Sequence, residues 1–405
     1  MENNNFFSSI TLQNFLSFGD KSHPVDLAPL NILIGKNSCG KSNLIEAFAI
    51  LKSLSKDLLD PIRKGGGIKE WLWKGKEKQP IAKVDLTLNY PGDAIPLRYK
   101  LDFTEVNQRL ELVDEVIESV QKRQEWDEDV CFYYRYRNGS PVFNIQHPDQ
   151  CDAEKCNRSE RTLRREDLDI HQSVLSQRKD PDQYPELTFI GNQFSKVRLF
   201  RESNLGRNSP PRMPQPPDLP EDFLLEDMSN LGLVLNDLQH HATAKKAIVE
   251  NLKLFYPEFD DITTKIHGGT IQIFLHEKNL HHPIPATRLS DGTLRFLCLL
   301  VILCHPNPPP LICIEEPELG LHPDILPHVA QLLIEASSRT QLIVTTHSDI
   351  LVDEFTDTPE FVIVCEKENG STSMQRLDAD ALNVWLRKYS LGELWRSGEI
   401  GGNRW

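Results

Sequence analysis

Residues 35–42 read "GKNSCGKS", a G-x-x-x-x-G-K-[ST] turn between the apolar run "LNILI" and "NLIEAFAILKSLS", whose apolar residues recur at helical spacing. Such a turn functions only where a strand feeds a helix, so it commits the start of the chain to an α/β architecture. Its backbone N–H groups and the helix start can surround phosphate oxygens, which makes Asn37, Ser38, Cys39, Gly40, Lys41, Ser42 and Asn43 candidate nucleotide-binding positions. The Lys41 ammonium suits the β and γ phosphates, and the Ser42 hydroxyl suits Mg²⁺. ATP and Mg²⁺ are the expected cofactors; the bland alternative is a glycine turn that binds nothing.

From about 80 to 145 the pattern changes to short alternating segments such as "AKVDLTLNY" and "PLRYKLDF", which predict an antiparallel β lobe. Residues 1–145 are therefore assigned to the first half of a P-loop core carrying this lobe. Residues 146–255, polar at first and helical in period from 221, are assigned to a helical insertion. Within it "NSPPRMPQPPDLP", 208–220, predicts an exposed proline-rich loop and a hinge. Residues 256–405 form the second half, where "PLICIEE", "TQLIVTTHS" and "FVIVCEK" read as buried parallel strands. No internal repeat and no sustained heptad pattern is visible, which argues against a coiled-coil arm.

A formal net charge of −14 opposes simple electrostatic coating of DNA. The basic stretches "RSERTLRRE" and "FSKVRLFRESNLGR" carry interspersed glutamates and read better as solvated faces than as a nucleic-acid surface. Eight cysteines lie scattered, several inside apolar runs, which implies a reducing compartment. The N-terminus lacks the pattern of a secretion signal and no apolar run approaches membrane-spanning length, so a soluble cytoplasmic protein is expected.

Two further groups carry chemistry. "PLICIEEPELGLHP" ends a strand in adjacent carboxylates, and strand alternation sends one toward metal, assigned to Glu315, and one toward an attacking water, assigned to Glu316. "LIVTTHS" ends in His347, placed to bond a γ-phosphate. "LSDG" offers Ser290, Asp291 and Gly292 at the mouth of an apolar helix; the same residues also describe an ordinary N-cap. "HPDQCDAEKC" raises zinc through His147, Cys151 and Cys156, but the spacing is poor for a structural site.

Together "GKNSCGKS", "LSDGTLR", "ICIEEPE", "LGLHP" and "TTHS" resemble, in order, the Walker A, signature, Walker B, D-loop and histidine switch of ABC-type ATPases. The nearest branch is the one containing RecF, SMC and overcoming-lysogenization-defect proteins. The resemblance covers the first 60 residues and about 285–350 well. It implies an ABC ATPase head fold, conversion of ATP and water to ADP and phosphate, and a homodimer or higher oligomer with composite sites. In such a dimer Ser290 of one subunit completes the phosphate site of the other. It also implies a metal-sensing glutamine where the β lobe rejoins the helical part, with Gln172 as candidate and Gln177 in reserve.

Two departures stand out: Asp291 where the best-known signature has glycine, and Glu315 where aspartate is usual. Transporter ATPases are disfavoured by the long insert. The residues after His347 lack the acidic cluster of a TOPRIM nuclease. The chain therefore resembles a stand-alone ATPase of the predicted AAA group. That resemblance implies control of a separately encoded nuclease or toxin effector, DNA association or anti-phage defence. The alternatives are a nucleotide-dependent scaffold with little turnover and a small-molecule kinase.

Overall fold

The computed structural model describes residues 5–122, 129–137, 140–152, 155–162, 167–201 and 205–402. In chain order the first strands are β1 (Phe7–Gln13), β2 (Val25–Asp26), β3 (Leu30–Gly35), β4 (Ala82–Leu88), β5 (Leu97–Val106) and β6 (Arg109–Ser119). Then come β7 (Phe132–Arg137), β8 (Ser140–Asp152), β9 (Lys155–Thr162), β10 (Arg198–Phe200), β11 (Phe259–His267) and β12 (Thr270–Glu277). The last are β13 (Ile284–Pro285), β14 (Leu311–Glu315), β15 (Gln341–Thr345), β16 (Val362–Glu368) and β17 (Ser371–Arg376).

They form three sheets. An eight-stranded antiparallel sheet has the order β2-β1-β4-β5-β6-β7-β8-β9, a six-stranded sheet β10-β14-β15-β3-β16-β17, and a small sheet β11-β12-β13. In the six-stranded sheet all neighbours are parallel except β16 and β17. This is the mixed α/β, P-loop architecture expected from the turn at 35–42.

The parallel strands are apolar throughout because each faces two cores. Leu33, Cys313, Ile343 and Ile363 point into one core, shared with the helix Lys41–Ser53 and the antiparallel sheet. Their neighbours Ile32, Ile34, Ile312, Val344 and Val362 point into the other, with the helices Asp291–Leu303 and Leu326–Ser337. Alternation along a strand is thus preserved, but neither face meets water.

Two expectations about the middle of the chain are corrected. The β lobe does not stop at 145: β8 and β9 carry it to Thr162, where helix was expected. The ladder, pairing Val142 with Thr162 and Gln146 with Arg158, makes these polar residues strands; their side-chain pattern gave no period-2 signal. The side chains of His147, Cys151 and Cys156, named for zinc, lie outside the described residues, as does part of "RSERTLRRE". Helices begin only later, at Val174–Gln177, Pro185–Lys196, Leu231–Leu238 and Ala242–Phe255. The proline-rich stretch is likewise not simply an exposed loop: Pro211, Arg212 and Gln215 are buried, and Gln215 exchanges backbone hydrogen bonds with Ile271 of β12. Among the described residues no helix is long and apolar enough to cross a membrane.

The two large sheets are joined by a polar staple. Gln341, fully buried at the start of β15, accepts from Phe7 N (3.0 Å) and donates to the carbonyls of Phe7 (2.8 Å) and Ala28 (3.1 Å). The backbone groups of β1 that meet it have no water to fall back on. Gln341→Ala is therefore expected to destabilise the protein by about 3 kcal/mol, as unpaired buried groups do. Denaturant unfolding would show this as a lowered midpoint, whereas Gln331→Ala on an exposed helix face should leave the midpoint unchanged.

Candidate functional site

β3 lies between β15 and β16, so the glycine turn leaves the sheet near its centre. Residues 36–38 form the exposed crest, and the helix Lys41–Ser53 then plunges into the core through Leu44, Ile45 and Phe48. Gly40 is required by both its φ of 112° and its surroundings, since a Cβ there would meet Thr372 Oγ1 at 2.3 Å. Thr372, on β17, donates its hydroxyl to the Cys39 carbonyl (2.7 Å) and accepts from Ser17 Oγ (2.6 Å), which in turn accepts from Asn43 Nδ2 (2.6 Å).

Of the positions named from sequence, Asn37, Ser38 and Ser42 are therefore exposed, and Gly40 offers backbone at the helix start. The Asn43 side chain is turned into the brace, and the Cys39 side chain is buried toward Cys365. A hydrogen bond with Cys365 and the nearby Lys41 ammonium, 4.0 Å away, pull the Cys39 thiol down to about 6 against the effect of burial. Lys41, 7% exposed, donates from Nζ to the carbonyls of Gly35 (2.8 Å) and Lys36 (3.0 Å), so its charge is held directly over the loop.

The acidic strand end comes to this loop through the register of the sheet. Glu315 pairs with Thr345 across β14 and β15, and Thr345 pairs with Leu33 across β15 and β3. Ser42 Oγ then donates to Glu315 Oε2 at 2.9 Å. Burial raises the Glu315 pKa, opposed by the Ser42 bond and by Arg201. The next residue, Glu316, has a left-handed φ of 48°, a conformation costly for a side chain with a Cβ, and its N–H is tied to the Thr345 carbonyl at 3.0 Å. That kink sends its carboxylate to the other side, where Oε1 lies 3.8 Å from His347 Nε2.

Two residues of this cluster were not singled out from sequence. Glu318 Oε1 accepts from Thr346 Oγ1 and from His347 N, both at 2.8 Å, and so fixes the turn that carries His347; burial raises its pKa. Its only sequence signal is the repeat of acidic residues in "EEPE". Arg201 follows β10, the strand beside β14; it donates to Glu46 (2.7 Å), and its Nε lies 3.7 Å from Glu315 Oε1. In the sequence it was read as part of a solvated basic face.

The glutamine assignment is corrected. Gln172 accepts from Leu58 N (3.1 Å) and donates to Asp57 (2.8 Å), beyond the far end of the helix that starts at Lys41. That helix spans 13 residues, roughly 20 Å, so Gln172 is remote from Ser42. Gln177 is spent on the turn at Asp169 and Gln172. Position in the chain suggested Gln172, but the β lobe rejoins the core at the wrong end of the helix.

Ser290 is the N-cap of the helix Asp291–Leu303, accepting from Thr293 N at 3.1 Å, and it is nevertheless exposed. Gly292 is needed because a Cβ would stand 2.9 Å from the Gly320 carbonyl in "LGLHP". Asp291 is paired with Arg212. None of these neighbours belongs to the glycine turn of the same chain. Two surfaces thus exist in one chain: a loop with Lys41, Ser42, Glu315, Glu316 and His347 gathered around it, and a separate exposed helix start at Ser290.

The Thr372 brace yields a direct test of the loop's support. Thr372→Val keeps the shape but leaves the buried Cys39 carbonyl without its donor. It is expected to cost about 1–2 kcal/mol and to speed hydrogen exchange of the amides at 36–40, with Thr372→Ser restoring both.

The family model described as "AAA domain, putative AbiEii toxin, Type IV TA system" matches residues 30–353. Among solved structures the fold is similar to an SMC head bound to the C-winged helix domain of ScpA. The TM-score is 0.55 at 15% identity, over 93% of this chain and 99% of that one. It is also similar to the Smc head domain with an extended coiled coil, bound to the C-terminal domain of ScpA, derived from Pyrococcus furiosus. There the TM-score is 0.55 at 14% identity, over 95% of this chain and 99% of that one. At such identities the likeness is one of fold. No curated protein matches the chain. The matched span runs from β3 to the end of the short helix beyond His347 and includes Lys41, Ser42, Ser290, Glu315, Glu316 and His347; the chain belongs to this AbiEii-type AAA family, and its fold is that of SMC heads.

Proposed function

We propose that the chain binds ATP with Mg²⁺ at the loop 35–42 and hydrolyses it to ADP and phosphate. In this reading two copies close around the nucleotide and so report its state to a separate effector. The observation that carries the proposal is the meeting of Ser42 Oγ and Glu315 Oε2 at 2.9 Å beside the Lys41 ammonium. A hydroxyl on the glycine turn and a carboxylate at the end of β14 form a hard-oxygen donor pair of the kind Mg²⁺ requires. When bound, the ion would be held by Ser42 and Glu315 and would supply charge compensation for the triphosphate.

The chain's own residues do the rest. The amides of the crest and the first helical turn orient the phosphates, and Lys41 moves from the loop carbonyls to the β and γ oxygens. Glu316 Oε1 accepts a proton from the attacking water, and His347, steadied by Glu318, orients the γ-phosphate side of the site. The exposed Ser290 turn faces the triphosphate held by a second copy, so the site is complete only when two chains meet.

SMC heads bound to ScpA support a partner-directed output for this fold, and membership of a family tied to a putative AbiEii toxin supports control of a toxin-type effector in defence. A nuclease or toxin partner, DNA and a cytoplasmic setting belong to the same proposal.

Glu316→Gln decides the enzymatic part. Phosphate release should fall about 100-fold or more, as loss of a general base does, and light scattering should show an ATP-bound dimer accumulating. Wild-type protein without Mg²⁺-dependent phosphate release, alone or with DNA, would leave a nucleotide-dependent scaffold in place of the enzyme.

A further inference from the structure

We propose that Arg212, from the proline-rich segment, is a positioning residue of the signature turn: it neutralises Asp291 so that the turn can face a triphosphate held by a second copy of the chain. The inference rests on the two-copy reading above and explains how a carboxylate is tolerated at the centre of a phosphate-facing turn.

The Arg212 side chain is only 3% exposed, yet every arm of its guanidinium is used. Nε donates to the Leu205 carbonyl (2.8 Å), and Nη1 donates to the carbonyls of Ala286 (3.2 Å) and Leu289 (2.6 Å). Nη2 donates to Asp291 Oδ1. A buried guanidinium is costly unless a carboxylate shares its surroundings, and Asp291 is the carboxylate it meets. Asp291 itself is 74% exposed, so the pair reaches from the interior to the surface where Ser290 and Gly292 lie.

The geometry serves two ends at once. Bonds to Ala286 and Leu289 fix the backbone immediately before Ser290, which sets the direction of the helix start. The charge pair removes a conflict: an unpaired carboxylate in the first helical turn uses the positive end of the helix for itself and repels an incoming phosphate. With Arg212 attached, the turn carries no net side-chain charge, and the N–H groups of Asp291 and Gly292, ahead of those bonded to Ser290, can serve an anion. The burial of Pro211 and Arg212, unexpected for a proline-rich loop, follows from the same contact.

The test uses the full chain with Mg²⁺ and ATP, reading ATP-dependent self-association by sedimentation and nucleotide affinity of the dilute monomer by fluorescence. Arg212→Gln should weaken self-association about tenfold or more, a loss expected when one partner of a buried charge pair is removed. Monomer nucleotide affinity should change by less than about twofold, since the pair lies away from the loop. Adding Asp291→Asn to Arg212→Gln should restore association to within about threefold of wild type, and Arg212→Lys, which keeps the charge, should retain it. Should Arg212→Gln fail to fold, the surface change Asp291→Asn alone decides. It leaves the arginine's charge uncompensated beside the partner's triphosphate, so association should tighten at low salt and lose that gain at about 0.5 M salt.

An unrescued double variant, or association weakened by Asp291→Asn, reduces Arg212 to a pin in the fold and overturns the proposal while leaving the two-copy reading intact. Wild-type protein that stays monomeric with ATP removes the two-copy reading and this inference together.

Discussion

The insertion of β15 between β3 and β14 is the constraint on which the rest of the molecule depends. Three strands drawn from positions near 30, 311 and 341 run parallel in one register, so their carboxyl ends release the glycine turn, the two glutamates and His347 at one edge. Ligands of open α/β sheets bind outside such ends because that is where helix starts and loop amides converge. The Ser42–Glu315 bond is the local result of that register. A slip of one residue in β14 would turn Glu315 to the other face and bring Ile314 to the same height.

Holding that register takes more than apolar packing. The parallel sheet is sealed on both faces, but hydrophobic burial has no direction and does not by itself choose an alignment. Direction comes from polar side chains buried between distant parts of the chain: Gln341 joins β15 to β1, Thr372 joins β17 to the glycine turn, and Glu318 joins the end of β14 to the turn at His347. Each bonds backbone groups that are buried away from water, so a wrong alignment weakens or loses these bonds at a cost. Thr372 and Glu318 lie beside the candidate site and preorganise it, while Gln341 fixes the opposite end of β15.

Much of this was legible in the sequence, and the reason is local. The glycine turn carries its own strand and helix, and the runs at 311, 341 and 361 are too short and too β-branched to be anything but buried strands. The antiparallel lobe followed from alternation as far as β7. Beyond residue 145 the rest of β8 and all of β9 were missed because they are polar and owe their conformation to a neighbouring strand's hydrogen bonds. The glutamine assignment failed for a related reason: Gln172 stands at a plausible place in the order of motifs, but distance through the fold was set by a helix of roughly 20 Å. Arg201 and Glu318 escaped notice because an arginine in a basic stretch and a glutamate in an acidic one give no local sign of what they face.

The linear chain by itself determined the α/β class, the glycine turn between strand and helix and the residue types around it, since each depends on neighbours within one strand, turn or helix. Tertiary structure alone decided that Glu315 meets Ser42 and Glu316 meets His347, and that the proline-rich segment folds inward to place Arg212 on the signature turn. Contacts of that kind join residues tens to hundreds of positions apart, and only the packing of sheets and helices brings such groups within hydrogen-bonding distance.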